Sequence, residues 1–172
     1  MIAFLHVWLL CGTVGSCLVV LLVWSGAVEA ATLTGNPVIL DADTVIMSGE
    51  RIRLKGIDAP ETTQRCLDAK QQSYPCGQVA TNALIDKIGI TPLTCVGDTR
   101  DRYTRLMATC YLDDLNLNGW LVQYGHAPAD QKCSTRYVSE EEKATAIKRG
   151  VWSGSLLPRG SGDGSIKPHP SP

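Results

Sequence analysis

Three carboxylates stand close together in the first half of the chain: Asp43 ends ILDAD, and Asp58 and Glu61 belong to DAPE. They are hard oxygen donors with no His or Cys beside them, a set suited to Ca2+ or Mg2+, and Ca2+ accepts the looser geometry. Pro60 locks its own φ and biases Ala59 to an extended backbone, so the Ala59 carbonyl is a candidate third ligand beside Asp43 and Asp58. Arg51 and Arg53 lie on one face of the strand RIRLKGI, opposite Ile52 and Leu54. Arg53, five residues before Asp58, is placed to aim its fork at an anion held by a metal, whereas Arg51 reads as a solvated edge charge. A second cationic stretch, DTRDRYTRL, sets Arg100, Arg102 and Arg105 around Tyr103. By composition it is a solvated turn; taken with the first cluster it could clamp the other side of a phosphate. Attack on a phosphodiester builds charge on the equatorial oxygens, and preplaced cations with a metal lower that barrier.

For these residues to converge, the chain must run strand, turn, strand. PVIL and TVIM are short β-branched runs, SGE supplies a turn, and RIRLKGI alternates apolar and polar, which predicts three strands with the last two as a hairpin. GQVATNALIDKI, residues 77–88, changes to a helical period with Val79, Ala83, Leu84 and Ile88 inward. TPLTCVG and RLMATCYL are strands on either side of a polar turn. LNLNGWLVQYG is a short helix ended by Gly125, and Ser139 with Glu142 forms a capping box for a last helix to Gly150, with Ala144, Ile147 and Val151 inward. Trp120 and Trp152 read as core and His126 as a surface residue. Five short strands with a helix after the third, then two more helices, predict a mainly β, α+β domain: a five-stranded OB-type barrel with about three packed helices.

That domain spans residues 34–157. Residues 1–30 contain no Lys or Arg and carry a 22-residue apolar run, AFLHVWLLCGTVGSCLVVLLVW, which predicts a signal peptide cleaved before Ala31 or a retained membrane anchor. The protein is then periplasmic or secreted, with a membrane-anchored form as the other case. Residues 158–172, rich in Gly, Ser and Pro, read as a disordered tail. Glu29 is the one Asp, Glu, Lys or Arg of the first thirty residues, so the remainder carries sixteen basic and sixteen acidic side chains. A neutral domain excludes bulk electrostatic capture of nucleic acid and requires a local cationic cluster for any anionic substrate. The cysteines beyond the leader lack tight CxxC pairs, which disfavours zinc; in an exported domain Cys66 with Cys76 and Cys95 with Cys110 are disulfide candidates. Cys133 is left over, free or paired between chains, although the chain is expected to be a monomer.

In order along residues 36–152, VILDADTV, RIRLKGIDAPE, DRYTRLMATCYL, LNLNGWLVQYGHA and E-x-x-A with RGVW resemble the thermonuclease, or staphylococcal-nuclease-like, family. The resemblance implies an OB barrel in which Asp43, Asp58 and the Ala59 carbonyl bind Ca2+, Glu61 is the general base for water, and Arg53 and Arg105 hold the phosphate. It implies Ca2+-dependent hydrolysis of DNA or RNA to 3′-phosphate and 5′-hydroxyl ends. Two positions depart from the family pattern: Ala42 and Thr104 stand where glycine is usual, and a β-branched residue at positive φ is costly. No aromatic follows Gly125 before Tyr137, which leaves Arg102 and Tyr103 as the expected nucleotide contacts and predicts weak affinity or loose sequence preference. The alternative is a catalytically weak OB-fold binding module for nucleic acid or polysaccharide, since some relatives are named for exopolysaccharide synthesis. Keeping Asp43, Arg53, Asp58, Glu61 and Arg105 together favours the enzyme.

Overall fold

A computed structural model of the chain describes residues 30–157. The predicted signal or anchor, Ala30 excepted, and the predicted tail lie outside the described residues.

The first strand is split: β1 (Ala31–Gly35) and β2 (Val38–Asp41) are separated by Asn36 and Pro37. β3 (Thr44–Met47) and β4 (Glu50–Leu54) form the predicted hairpin, with Met47 opposite Glu50. Its two central residues, Ser48 and Gly49, have φ of 51° and 77°, the left-handed pair that matches the twist of the flanking strands. After a small pair, β5 (Cys66–Leu67) and β6 (Ser73–Tyr74), come α1 (Cys76–Ile88), β7 (Leu93–Arg100), β8 (Leu106–Leu112) and β9 (Leu115–Asn116). The chain then runs through α2 (Leu117–Gln123), α3 (Val138–Ala146), a 3-10 turn (Gly150–Ser153) and β10 (Ser155–Leu156).

The main sheet runs β1-β7-β8-β4-β3-β2, with β9 on β8 and a parallel contact between β4 and β8. Because its two outer strands are halves of one interrupted strand, the sheet curls on itself, giving the OB-like α+β fold expected from the sequence. Counting the split strand once leaves five long strands; the β10-β5-β6 sheet was not predicted. Val45, Met47, Ile52, Leu54, Leu106 and Ala108 point inward from the strands and meet Leu84 and Ile88 of α1 and Leu117 and Leu121 of α2. The amide side chain of Asn118 is fully buried in this core. Its Oδ1 accepts from the Cys110 N–H at 3.0 Å, and its Nδ2 donates to the carbonyls of Lys55 (3.0 Å) and Ala108 (3.1 Å). Its bonds tie α2 to the residue after β4 and to the middle of β8, so it is satisfied rather than costly.

Both disulfides form as expected: Cys66–Cys76, and Cys95–Cys110 across directly opposed positions of β7 and β8. Cys133 is free and exposed. The helices differ in detail from their periodicity. Val79 is 47% exposed and Ile147 61% exposed, so neither belongs to an inward stripe, although Ala144 and Val151 are buried. For α1, the disulfide at Cys76 turns Cys76, Ala80, Leu84 and Ile88 inward and leaves Val79 outside. α3 begins after Tyr137, whose buried ring packs on Gly56 and Gly119, and no side chain caps it; Ser139 lies inside the helix rather than ahead of it. The helix stops at Ala146, short of Gly150, because Lys148 turns into the left-handed region with φ 52°. Trp120 packs against the main core and Trp152 against the Cys66–Cys76 cluster, both partly buried. His126 is half-buried against the Trp120 ring at 5.3 Å rather than at the surface, and burial lowers its pKa.

Candidate active site

Asp43 immediately precedes β3 and is 1% exposed. The hairpin register pairs Thr44 with Arg53, which brings the Arg53 side chain back over the start of β3. One guanidinium nitrogen, Nη1, donates to Asp43 Oδ1, and the other, Nη2, donates to Asp58 Oδ1 at 2.8 Å. The second Asp43 oxygen accepts from the Ala59 N–H at 2.7 Å, and the Thr44 hydroxyl donates to the first at 3.1 Å. Asp43, Arg53, Asp58 and Ala59, all singled out in the sequence, thus meet at one end of the hairpin. Burial pushes the Asp43 carboxyl well above the usual carboxylate range, against the pull of Arg53. Ala42, also buried, fits without a positive φ, so the missing glycine changes little there.

Glu61 sits, exposed, on the loop that follows. Its N–H donates to Gln64 Oε1 at 3.2 Å and its carbonyl accepts from the Gln64 N–H at 2.7 Å, closing a tight turn. α1 then presses on that turn: the Gly77 N–H donates to the Gln64 carbonyl, and a Cβ on Gly77 would lie 1.7 Å from the Glu61 oxygen. Only glycine permits this approach. On the other side, the Asp58 N–H donates to the Pro128 carbonyl and the Asp130 N–H to the Gly56 carbonyl, both at 3.0 Å, so residues 56–58 are pinned to the segment after α2.

Arg105 comes from a different element. Ile52 pairs with Leu106 in parallel, which places Arg105 beside Arg51 in register and on the face shared with Arg53. Its Nε donates to Asp101 Oδ2 at 2.7 Å, its Nη2 forms an ion pair with the same oxygen at 2.7 Å, and its N–H donates to Asp101 Oδ1 at 3.0 Å. Burial pushes the Asp101 carboxyl up, but the hydrogen bonds from Arg105 and from the Tyr103 N–H outweigh it and hold the group below its usual value. Thr104, the substitution that put this turn in question, keeps a left-handed φ of 67° and donates its hydroxyl to the Tyr103 carbonyl at 2.6 Å. The turn survives its β-branched residue. Tyr103 is 63% exposed, with the Arg102 and Arg105 guanidinium carbons 4.9 and 5.5 Å from its ring centre. Arg51 is exposed, and Arg100 is engaged by Glu50.

Sequence reasoning missed Asp101 and the clamp of Gln64 and Gly77. Asp101 had a readable signal, an acid four residues before an arginine in a turn; the Gly77 contact had none, since it depends on how α1 docks. Among the described residues no three or more His, Cys, Asp or Glu side chains converge on a metal-sized point. The hard-oxygen chemistry nonetheless fits a divalent cation. Asp43 is a buried carboxylate whose ionisation burial opposes, and its cation, Arg53, is shared with Asp58.

Three similarities to known proteins bear on this site. The family model described as "Staphylococcal nuclease homologue" matches residues 51–154. The chain is 34% identical over 143 residues to the "Succinoglycan biosynthesis protein ExoI" of Rhizobium meliloti (strain 1021), covering 81% of this chain and 75% of that one. It is 33% identical over 142 residues to an "Uncharacterized endonuclease" of Escherichia coli O157:H7, covering 78% and 86%.

Proposed function

This chain belongs to the staphylococcal nuclease homologue family, and from that premise we propose that it is an exported, Ca2+-dependent nuclease. It hydrolyses phosphodiester bonds in DNA or RNA to 3′-phosphate products, acting as a monomer. The observation that carries the reading is the meeting of Asp43, Arg53, Asp58 and Ala59 at the hairpin end, beside the loop that holds Glu61. The endonuclease name of the Escherichia coli relative supports the same reaction class.

Asp43, Asp58 and the Ala59 carbonyl would hold the Ca2+ ion, which when bound supplies positive charge to stabilise the pentacovalent phosphate. Arg53 reaches the phosphate by rotating its own side chain away from the two carboxylates, and its planar fork suits two phosphate oxygens at once. Arg105 approaches from the turn that enters β8, its guanidinium aimed by Asp101 on one edge while other N–H donors remain for the substrate. Glu61 accepts the proton of the attacking water, for which an exposed carboxylate on a backbone-clamped turn is suited. Arg102 and the exposed Tyr103 ring hold the adjoining nucleotide by charge and stacking.

The apolar leader supports export to the periplasm or medium, or attachment by a retained anchor, and two disulfides suit an oxidising compartment. A second reading has one specific observation behind it. The relative named for succinoglycan biosynthesis supports a catalytically weak OB-fold binding module acting in exopolysaccharide synthesis. End-group analysis separates the two: full-length protein is incubated with labelled single-stranded DNA and RNA, and the fragments are offered to a template-dependent polymerase before and after phosphatase. Fragments that extend only after phosphatase carry the expected 3′-phosphate; fragments that extend at once reject the proposed chemistry, and intact substrate favours the binding module.

A further inference from the structure

Beyond the hairpin site, and resting on the nuclease reading, the outer face of the barrel carries a second groove of about 400 Å³. It is lined by Lys55, Asp98, Met107, Thr109, Tyr111 and Arg136, among others. We infer that this groove is a subsite for a single-stranded nucleic acid, taking a backbone phosphate on Lys55 and Arg136 and stacking a base on Tyr111, next to the nucleotide being cleaved.

The groove continues the candidate active site. Met107 is the cross-strand partner of Arg53, and Lys55 is the next residue on Arg53's face, roughly 7 Å further along at two strand residues. The segment after α2 borders both: Pro128 and Asp130 pin the loop at Asp58, while Ser134 and Arg136 wall the groove. A strand leaving Arg53 and Arg105 would therefore meet Lys55, Met107, Tyr111 and Arg136 on one continuous face. The volume lies within the range of about 300 to 1,000 Å³ usual for small-ligand sites, enough for one nucleotide. Its chemistry matches the recurring single-strand platform, cations tracking the backbone with an aromatic face for the base.

The groove's polar groups have partners that a phosphate can share. Arg136 Nη1 donates to the Thr109 hydroxyl at 3.3 Å, the side chain also hydrogen-bonds the Tyr111 hydroxyl, and the guanidinium carbon lies 5.6 Å from the Tyr137 ring centre, so the group is fixed against the sheet beside Tyr111 with donors left over for a phosphate. Lys55 pairs with Asp98 at 3.7 Å, both half-exposed, a screened pair that exchanges readily for a phosphate. The groove also supplies the aromatic contact that the stretch after Gly125 lacks. Tyr111 and Arg136 escape a sequence reading because they lie 25 residues apart and meet only when the loop before α3 folds over β8.

The test is anisotropy binding of full-length protein carrying Glu61→Gln, which removes the assigned base, to fluorescent oligothymidylates of two and eight nucleotides across a salt series with Ca2+ present. Arg136→Gln, at an exposed position, is expected to weaken the octamer about tenfold, leave the dimer unchanged and flatten the salt slope by about 0.7. Tyr111→Leu is expected to weaken the octamer about tenfold at an unchanged slope. Equal losses for both lengths, no loss for either, or no octamer binding by the folded parent would overturn the subsite. Loss with Arg136→Gln alone would reduce the groove to a charged surface and overturn the base platform. Cleavage by the unblocked protein is scored separately: octamer binding that depends on Arg136 and Tyr111 without cleavage would keep the groove and remove the catalytic reading.

Discussion

Asp43 is the residue on which the chemistry and the stability of the domain pull in opposite directions. Its carboxylate is nearly inaccessible, and burial raises its pKa although Arg53 opposes the shift. A carboxyl whose native pKa is raised binds protons more tightly folded than unfolded, so metal-free stability falls as pH climbs from its unfolded value, about 3.9, through the raised native one. Replacing it with a neutral isostere should therefore stabilise the metal-free protein. Asp43→Asn is expected to raise the melting temperature in chelator at neutral pH by roughly 3 to 5 °C, corresponding to about 1 kcal/mol in a domain of this size. The parent is expected to melt at a higher temperature with Ca2+ than in chelator, and Asp43→Asn is expected to lose that rise, a readout independent of turnover. Arg53 carries the complementary prediction. Arg53→Ala should cost about a hundredfold to a thousandfold in kcat, as for loss of one transition-state donor, and Arg53→Lys should recover little because a single ammonium cannot replace the fork. Steady-state kinetics on a defined single-stranded substrate measures both.

The hairpin of β3 and β4 was legible in the sequence because its alternation is unambiguous: Ile52 and Leu54 must go inward, so Arg51 and Arg53 must go outward, and Asp43 and Asp58 follow at the ends. The helices were less legible. Period alone placed Val79 and Ile147 inside, but the faces that bury are chosen by partners distant in sequence, the Cys66–Cys76 disulfide for α1 and the packing of Tyr137 for α3. For the same reason the loop bearing Glu61 was visible as a motif but not as a clamped element. Its clamp makes two predictions. Gly77→Ala forces a Cβ against the Glu61 carbonyl, and is expected to destabilise by about 1 to 3 kcal/mol in thermal melts while lowering kcat more than it changes KM. The two disulfides should behave differently although each closes a short loop. Replacing Cys95 and Cys110 by alanine should cost about 3 kcal/mol of stability with kcat retained, whereas replacing Cys66 and Cys76 should also reduce kcat, because that bridge holds α1 against the Glu61 turn.

Across the domain as a whole, function rests on the placement of charge rather than its amount. The full chain has a formal net charge of −1, yet one face of the barrel gathers Arg51, Arg53, Lys55 and Arg105 from neighbouring strands. Such a surface suits local binding of an anionic strand without the long-range steering of a basic protein. The curled sheet positions this face: β4 brings Arg53, the turn entering its parallel partner β8 brings Arg105, and the turn between β2 and β3 delivers Asp43. The most direct measurement is digestion of heat-denatured DNA by the folded full-length protein, with Ca2+ and with chelator, beside Glu61→Gln. Cleavage that needs Ca2+ and falls sharply in Glu61→Gln is the predicted result; no Ca2+-dependent cleavage, or full cleavage by Glu61→Gln, would contradict it.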